Sequence, residues 1–317
     1  MIDTEANKSA HWSDINELGA LWGLKFLAFV YHIAGRRLCL FVMMPVIAFF
    51  FLFNPRARQS IHKFLDLVSE HEEITRPTFW SSFQNFIEFG ASALDKLASW
   101  NNDIKPEKIQ FPGKMKSLFE LDPDKKGAVL FVSHLGNIEV LRALASHHKD
   151  RGLNVLVHTK HATKFNAIMK RINPSSQLKL IEVSEITPDV ALMLKTKIEA
   201  GEWVAIAADR PPVIGRHNIL KIPFLGKLAS FPIGPYVLAH LLERPVYMVS
   251  CIRDNDQYRV EWEKLADQIV MQRGRRPESA TPWANKYAAW LEKLAIQNPH
   301  QWYNFFDFWR SDEEVTK

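Results

Sequence analysis

Residues 127–148 read GAVLFVSHLGNIEVLRALASHH and contain the two local patterns on which the predicted fold depends. Its first seven residues, GAVLFVS, have the apolar pattern of a strand that is buried on both faces of a sheet. From Asn137 onward, apolar residues recur at helical spacing and Asn137 stands where an N-cap is expected, so this part predicts an amphipathic helix. A buried strand followed directly by a helix indicates an α/β fold.

The same alternation continues towards the C-terminus. The sequence predicts further strands at 153–159, 178–183 and 203–208, and helices at 164–172, 188–200 and 232–243. Gly201 supplies a stop signal for the second of these helices. Residues 245–252 and 257–265 are predicted to form a hairpin that turns at DND, whereas 209–230 is predicted to be a cationic loop. The expected fold class is therefore α/β, with a mostly parallel central sheet flanked by helices and an antiparallel segment at one side.

The N-terminal part of the sequence predicts a membrane anchor. Residues 38–53 are 16 consecutive apolar positions, and 18–35 is also largely apolar. A helix over 38–53 would be about 24 Å long, shorter than the roughly 30 Å of a bilayer's hydrocarbon core. Basic pairs flank it on both sides, which favours a monotopic or re-entrant anchor over a span, with a buried helix pair as the alternative. We expect N-terminal membrane-anchoring helices in 1–58 and an α/β domain in 59–317.

Composition excludes several classes of protein. Of the 317 residues, 47% are hydrophobic and 24% are charged, which excludes a disordered chain. The net charge of +5 is scattered along the chain, so no nucleic-acid partner is predicted. Two cysteines without a CxxC motif predict no metal, and the absence of a phosphate-binding glycine loop predicts no nucleotide cofactor. The 21 Phe and 10 Trp point to apolar ligands or a membrane surface.

The candidate chemistry lies where predicted strands end. In α/β sheets, ligands bind at the carboxyl ends of the strands, and His134 and Asp209 both follow such ends. An imidazole can deprotonate a hydroxyl or amine near neutral pH, and Glu139 on the next helical turn could stabilise the imidazolium. Two alternatives stay open at this point. His134 could be a structural histidine, or Ser133 could be a nucleophile, although no G-x-S-x-G turn surrounds it.

Several blocks of the sequence resemble a known family. VLFVSHLGNIEVLRAL resembles the H-x4-(D/E) motif of the lysophospholipid acyltransferase superfamily. Three further blocks, GEWVAIAADRPPVIG, IPFLGKLASFPIGPYVLAHLLERPVY and NPHQWYNFFDFW, are similar in order and spacing to the lipid A biosynthesis acyltransferase family. The resemblance covers roughly residues 20–309. It implies an enzyme at the cytoplasmic face of the bacterial inner membrane that moves a fatty acyl chain from acyl-carrier protein, or acyl-CoA, to a lipid or glycolipid such as a lipid A precursor, without a cofactor.

The resemblance also implies roles for individual residues. By likeness, His134 is the base and Glu139 its partner, and Arg171 with the Asp209-Arg210 pair organises substrate. Asn137 is a candidate donor to the thioester oxygen, although helix capping would also explain it. The chain departs from the family pattern at DRPPV after the strand end and in the aromatic ending FFDFW. These departures leave open an offshoot that acts on other lipid-linked acceptors, as in aryl-polyene-type pathways, or a non-catalytic lipid-binding protein that has kept the fold.

Overall fold

The computed structural model divides the chain into two units between Phe50 and Phe51. The residues that it describes are 30–31, 33, 35–72, 76–100, 103–113, 118–122, 124–137, 140, 152–157, 178–182, 187–210 and 219–309. The predicted helix at 164–172 and most of the one that starts at Asn137 lie outside these residues. The predicted domain boundary after residue 58 stays a prediction.

An apolar helix, α1, runs over Gly35–Phe53. With 19 residues it is long and apolar enough to cross a membrane, judged by length and composition alone. The helix continues through Pro45, where the sequence suggested a bend. Most of its apolar side chains are exposed, which is unlike the core helix of a soluble protein.

Two helices follow α1 directly. Helix α2 spans Pro55–His71, and its first turn is capped by the side chain of Asn54, which accepts a hydrogen bond from the amide of Ala57. Proline at the first helical position fits this start, because no N–H is needed there. Helix α3 spans Phe79–Trp100, confirming the helical spacing around 82–97, and packs against α2.

A seven-stranded sheet forms the centre of the larger unit in the described part of the chain. Its order is β1-β9-β8-β2-β5-β3-β4. All neighbours pair in parallel except β8 and β9, which form the predicted hairpin. The strand bounds are β1 Ile109–Gln110, β2 Val129–Val132, β3 Leu153–Val157, β4 Leu178–Glu182, β5 Trp203–Ala207, β8 Val246–Asp254 and β9 Gln257–Ala266. The predicted mostly parallel sheet with an antiparallel segment at one side is confirmed.

The prediction of a loop over 209–230 is wrong for its second half. Residues Ile219–Phe224 form strand β6 and Lys227–Pro232 form strand β7, which pair as an antiparallel hairpin. Alternate residues of β6 are buried, as expected for a strand with one face on the core. Leu225 and Gly226 both have positive φ, 49° and 72°, which a tight two-residue hairpin turn requires. The lysines and prolines of this segment obscured a period-two pattern.

Three more helices cover the sheet. They are α4 (Pro188–Glu199), α5 (Gly234–Leu242) and α6 (Arg276–Gln297). Helix α4 ends as predicted before Gly201, whose φ is +85°. Helix α5 packs on β2 and helix α6 on β6 and β9. The rings of Tyr236 and Tyr287 meet Phe131 of β2 edge-on, so the strand that leads to His134 is fixed from this side by fully buried aromatic groups.

Candidate active site

The carboxyl ends of β2 and β5 lie side by side. Val132, the last residue of β2, is paired in register with Ala207, the last residue of β5. His134 and Asp209 each come two residues after these ends, so the parallel register places them opposite one another. The sequence predicted both residues at strand ends, and the strand order brings them together.

The carboxylate of Asp209 holds both the ring and the backbone of His134. Its Oδ1 lies 2.9 Å from the imidazole Nδ1, and its Oδ2 accepts the backbone N–H of His134 at 2.8 Å. Because an ionised carboxylate only accepts hydrogen bonds, Nδ1 of a neutral imidazole carries the proton and Nε2 keeps its lone pair. Among the residues described, none forms a hydrogen bond with Nε2. The imidazole is therefore oriented to accept a proton at that atom.

Exposure differs sharply between the two partners. The side chain of His134 is 36% exposed, whereas that of Asp209 is 1% exposed. Burial acts to raise the pKa of Asp209, but the charge and the hydrogen bonds of His134, together with the charge of Arg210, outweigh it and lower that pKa below its ordinary value. Asp209 is therefore ionised at neutral pH, and an imidazolium formed at His134 would meet a buried negative charge.

The C-terminal segment is part of this site. Trp302 pairs with Leu135 in an isolated antiparallel bridge, and the amide of Tyr303 donates to the carbonyl of His134 at 3.1 Å. The indole Nε1 of Trp302 is also 3.5 Å from Oδ2 of Asp209, a long hydrogen bond. Trp302 is 1% exposed. The sequence left open whether the aromatic ending lines a channel or packs in the core, and for Trp302 the structure shows core packing beneath the histidine.

Arg210 lies beside the pair of His134 and Asp209. Its Nη2 donates to the carbonyl of Tyr303 at 2.7 Å, and the guanidinium lies 5.7 Å from the ring centre of Phe306. Burial lowers the pKa of Arg210, which Asp209 partly offsets, and an arginine side chain stays cationic at neutral pH. Its Nε is buried without a hydrogen-bond partner in the described part of the chain. A partly buried cation with an unused N–H is suited to bind an anionic group.

Asn137 is held in place by hydrogen bonds to neighbouring elements. Its side-chain Nδ2 donates to the carbonyl of Ser92 on α3 at 3.0 Å, and its backbone N–H donates to the carbonyl of Cys251 at 2.7 Å. Only 5% of the residue is exposed. These contacts anchor the start of the segment after His134 to α3 and β8.

Ser133 has no geometry that would support a nucleophile. It is 6% exposed, and its Oγ accepts the amide of Leu135 at 3.2 Å. The side chain serves to stabilise the turn after β2, because it occupies a backbone donor that the strand ladder no longer pairs.

Two of the predicted site residues, Glu139 and Arg171, lie outside the described residues. The contact that sequence reasoning missed is the one between His134 and Asp209, since Asp209 was assigned to substrate. One signal could have revealed it: both residues stand two positions after a buried strand. Trp302 was missed as a neighbour of Asp209 because nothing local in the sequence links position 302 to position 134. The described part of the chain contains no cluster of three or more His, Cys, Asp or Glu side chains placed to bind a metal.

A family model described as bacterial lipid A biosynthesis acyltransferase matches residues 12–311. A comparison with curated proteins finds no match. The family match spans both strand ends, the β6–β7 hairpin and the aromatic ending.

Proposed function

Because the chain belongs to the bacterial lipid A biosynthesis acyltransferase family and is an acyltransferase, we propose that it uses His134 as the general base of acyl transfer. The proposed donor is an acyl thioester, carried by acyl-carrier protein or by CoA. The proposed acceptor is a hydroxyl or amine of a lipid or glycolipid such as a lipid A precursor. We place the reaction at the cytoplasmic face of the bacterial inner membrane, supported by helix α1 and by the family.

The geometry of His134 supports this role in a defined step. The acceptor oxygen or nitrogen forms a bond to the thioester carbonyl carbon while Nε2 of His134 takes its proton. The tetrahedral intermediate then expels the thiolate as the C–S bond breaks, and the imidazolium returns the proton to the sulfur. The charge of Asp209 at Nδ1 stabilises the imidazolium between these two events. Neither a redox step nor a covalent enzyme intermediate is required.

The other predicted residues are proposed to bind substrate. The guanidinium of Arg210, a cation beside His134 and Asp209, is suited to a phosphate of the donor's pantetheine arm or of the lipid acceptor. For Arg171 and Glu139 the support is their place in the family's motifs, with Glu139 acting together with His134. Asn137, whose Nδ2 already donates to Ser92, would contribute mainly by fixing the segment between His134 and Glu139.

The observation that carries the proposal is the buried Asp209 carboxylate on Nδ1 of a partly exposed imidazole. The test is the initial rate of acyl transfer by the full-length His134→Ala variant. We expect a loss of at least about 100-fold, the usual scale for a missing general base. His62→Ala is the matched control, because His62 is 44% exposed on α2 and forms a hydrogen bond with Ser82. A His134→Ala variant with an ordinary rate would overturn the assignment of His134 as the general base.

The acceptor is tested separately. Lipids from a strain that lacks this protein and from its parent are extracted and compared by mass spectrometry. Loss of one acyl mass from lipid A species supports a lipid A precursor as acceptor. An unchanged lipid A together with a missing acyl mass on another lipid class would replace it with an offshoot acceptor, while acyl transfer itself would stand.

A further inference from the structure

The surface where α1 ends and α3 begins carries large exposed apolar side chains. Leu52 and Phe53 are the last two residues of α1, and Phe79 and Trp80 are the first two of α3. Phe53 is 72% exposed and Trp80 71%, while Leu52 and Phe79 are both more than half exposed. We call these four residues the aromatic corner. It belongs entirely to the larger of the two units.

The aromatic corner is held in place from below. Phe51 is 2% exposed, and its ring centre lies 4.8 Å from that of Phe79, 5.0 Å from Phe83 and 5.1 Å from Phe86. Trp80 in turn lies 5.9 Å from Phe79. These contacts, T-shaped except for the tilted pair of Phe51 and Phe83, fix the rings of Phe79 and Trp80 on a packed base, so their exposure is a feature of the folded surface.

Two of the last carbonyl groups of α1 accept hydrogen bonds from a side chain, which suits surroundings with little water. The final carbonyls of a helix have no partner within the helix, and an unpaired carbonyl is costly where lipid replaces water. Here Nη1 of Arg58 donates to the carbonyl of Phe51 at 2.9 Å and to that of Leu52 at 3.3 Å. The guanidinium also lies 5.4 Å from the ring centre of Phe51. One arginine thereby satisfies two terminal carbonyls and places a positive charge at the rim of the corner.

The sequence that flanks the corner carries basic residues and no acids. Arg56 is exposed three positions after Phe53, and Arg58 follows it. The sequence has no Asp or Glu between Phe51 and Leu65 or between Arg76 and Ile87. Aromatic rings with arginines near them in the sequence fit the headgroup region of a bilayer, where Trp is enriched and anionic phospholipids attract basic side chains.

We propose that the aromatic corner is a membrane contact of the larger unit and inserts into the headgroup region of a bilayer that contains anionic phospholipids. The inference rests on the proposed association with a membrane and extends the contact from the end of α1 to the start of α3. It does not depend on the acyl-transfer chemistry.

A spin label at the corner tests the proposal in the full-length chain. Cys39 and Cys251 are both buried, so a thiol-reactive label is directed to an introduced cysteine. Trp80→Cys is labelled and reconstituted into vesicles of phosphatidylethanolamine with a minority of phosphatidylglycerol. Collision with oxygen, which partitions into lipid, is compared with collision with a water-soluble nickel chelate. We expect the label to lose nickel accessibility, and a label on Phe53→Cys to behave in the same way. Labels on Leu192→Cys and Val270→Cys, residues that are 67% and 64% exposed on other elements, should stay accessible to nickel.

The outcomes separate the corner from the anchor. A label on Phe41→Cys reports on α1, where Phe41 is 72% exposed. If this label is in lipid while both corner labels face water, the corner proposal is overturned and membrane association stands. If all three labels face water, both fail. Nickel exclusion with spin–spin broadening that disappears on dilution with unlabelled protein would mean that a second copy covers the corner, which also overturns the proposal.

Discussion

Replacing the carboxylate of Asp209 by an amide should cost most of the acyl-transfer rate while the fold persists. Asp209→Asn keeps the size of the side chain but offers one acceptor oxygen where the carboxylate has two. The carboxylate serves both Nδ1 and the backbone N–H of His134, at 2.9 Å and 2.8 Å. If the amide oxygen stays with the backbone N–H, the NH₂ group faces Nδ1. The imidazole then receives a hydrogen bond at Nδ1 and carries its proton on Nε2, where it cannot act as a base.

The expected loss of kcat in Asp209→Asn follows from the hydrogen bonds that the substitution changes. To regain the useful tautomer, the variant must give up one hydrogen bond and set two donors against each other in a buried place, together about 3–5 kcal/mol. Turning the amide around frees Nδ1 but sets the NH₂ group against the backbone N–H, at a similar cost. At about 1.4 kcal/mol per tenfold, and with the negative charge lost as well, kcat should fall about 10²- to 10⁴-fold. KM should change little if the effect lies in proton transfer.

The assay is the initial rate with purified full-length protein in detergent, a radiolabelled acyl thioester and extracted lipid acceptor. Asp122→Asn is the matched control, because Asp122 accepts two backbone amides and the indole N–H of Trp203 at the opposite end of the sheet. It should cost a similar amount of stability and leave kcat unchanged. Two results together would refute the proposal that Asp209 fixes the catalytic tautomer of His134. Asp209→Asn would keep more than about a tenth of kcat, and Glu139→Gln would lose nearly all of it.

Two further predictions concern stability. In Gly136→Ala the new Cβ would clash with the carbonyl oxygen of Cys251, at a φ of +74°. Gly226→Ala is the control, because its φ is +72° and, apart from its chain neighbours, no atom of the described residues would lie within 4 Å of the new Cβ. We expect the free energy of unfolding to fall by at least about 2 kcal/mol more in Gly136→Ala than in Gly226→Ala, and equal losses in denaturant unfolding would contradict this. Because the pKa of Asp209 is lowered in the folded state, its stabilising contribution is complete above the ordinary aspartate pKa of about 3.9 and disappears as the pH falls through the lower folded-state value. The free energy of unfolding of the wild type should therefore fall in acid as this contribution is lost. Asp209→Asn lacks the contribution at every pH, so its free energy of unfolding should depend less steeply on acid pH. Parallel profiles for the two proteins would contradict this prediction.

The sheet was predictable because its strands carry local signals. Runs such as 129–132 and 203–207 are apolar throughout, and a parallel strand that is covered on both faces needs that pattern. The β6–β7 hairpin was missed because Lys221 and Pro223 stand on the exposed face of β6 and break the run of apolar residues. The buried face still has an apolar residue at every second position: Leu220, Ile222 and Phe224. A pattern built on one face only is weaker than an unbroken run.

The site was predictable only in part, because its key contact depends on strand order. The sequence identifies His134 and Asp209 as residues after strands, but 75 positions separate them. Nothing local indicates that β2 lies next to β5 and not next to β3, its successor along the chain. The bridge between Leu135 and Trp302 spans a still longer separation. Such contacts follow from the packing of the whole sheet, which a scan for motifs does not evaluate.

The position of Asp209 constrains what Glu139 can do. An imidazole has two ring nitrogens, and Nδ1 of His134 is occupied by a carboxylate that is 1% exposed and also bound to the backbone. If Glu139 accepted a hydrogen bond from Nε2, that nitrogen would be protonated and His134 could not deprotonate an acceptor. The two carboxylates therefore cannot both bind the ring during catalysis. If His134 is the base, we propose that Glu139 acts on the substrate side, where it would orient the attacking group or favour positive charge that develops on the imidazole as the proton arrives. On this proposal the carboxylate of the H-x4-E motif serves the acceptor, while the parallel register of β2 and β5 supplies the partner that fixes the tautomer.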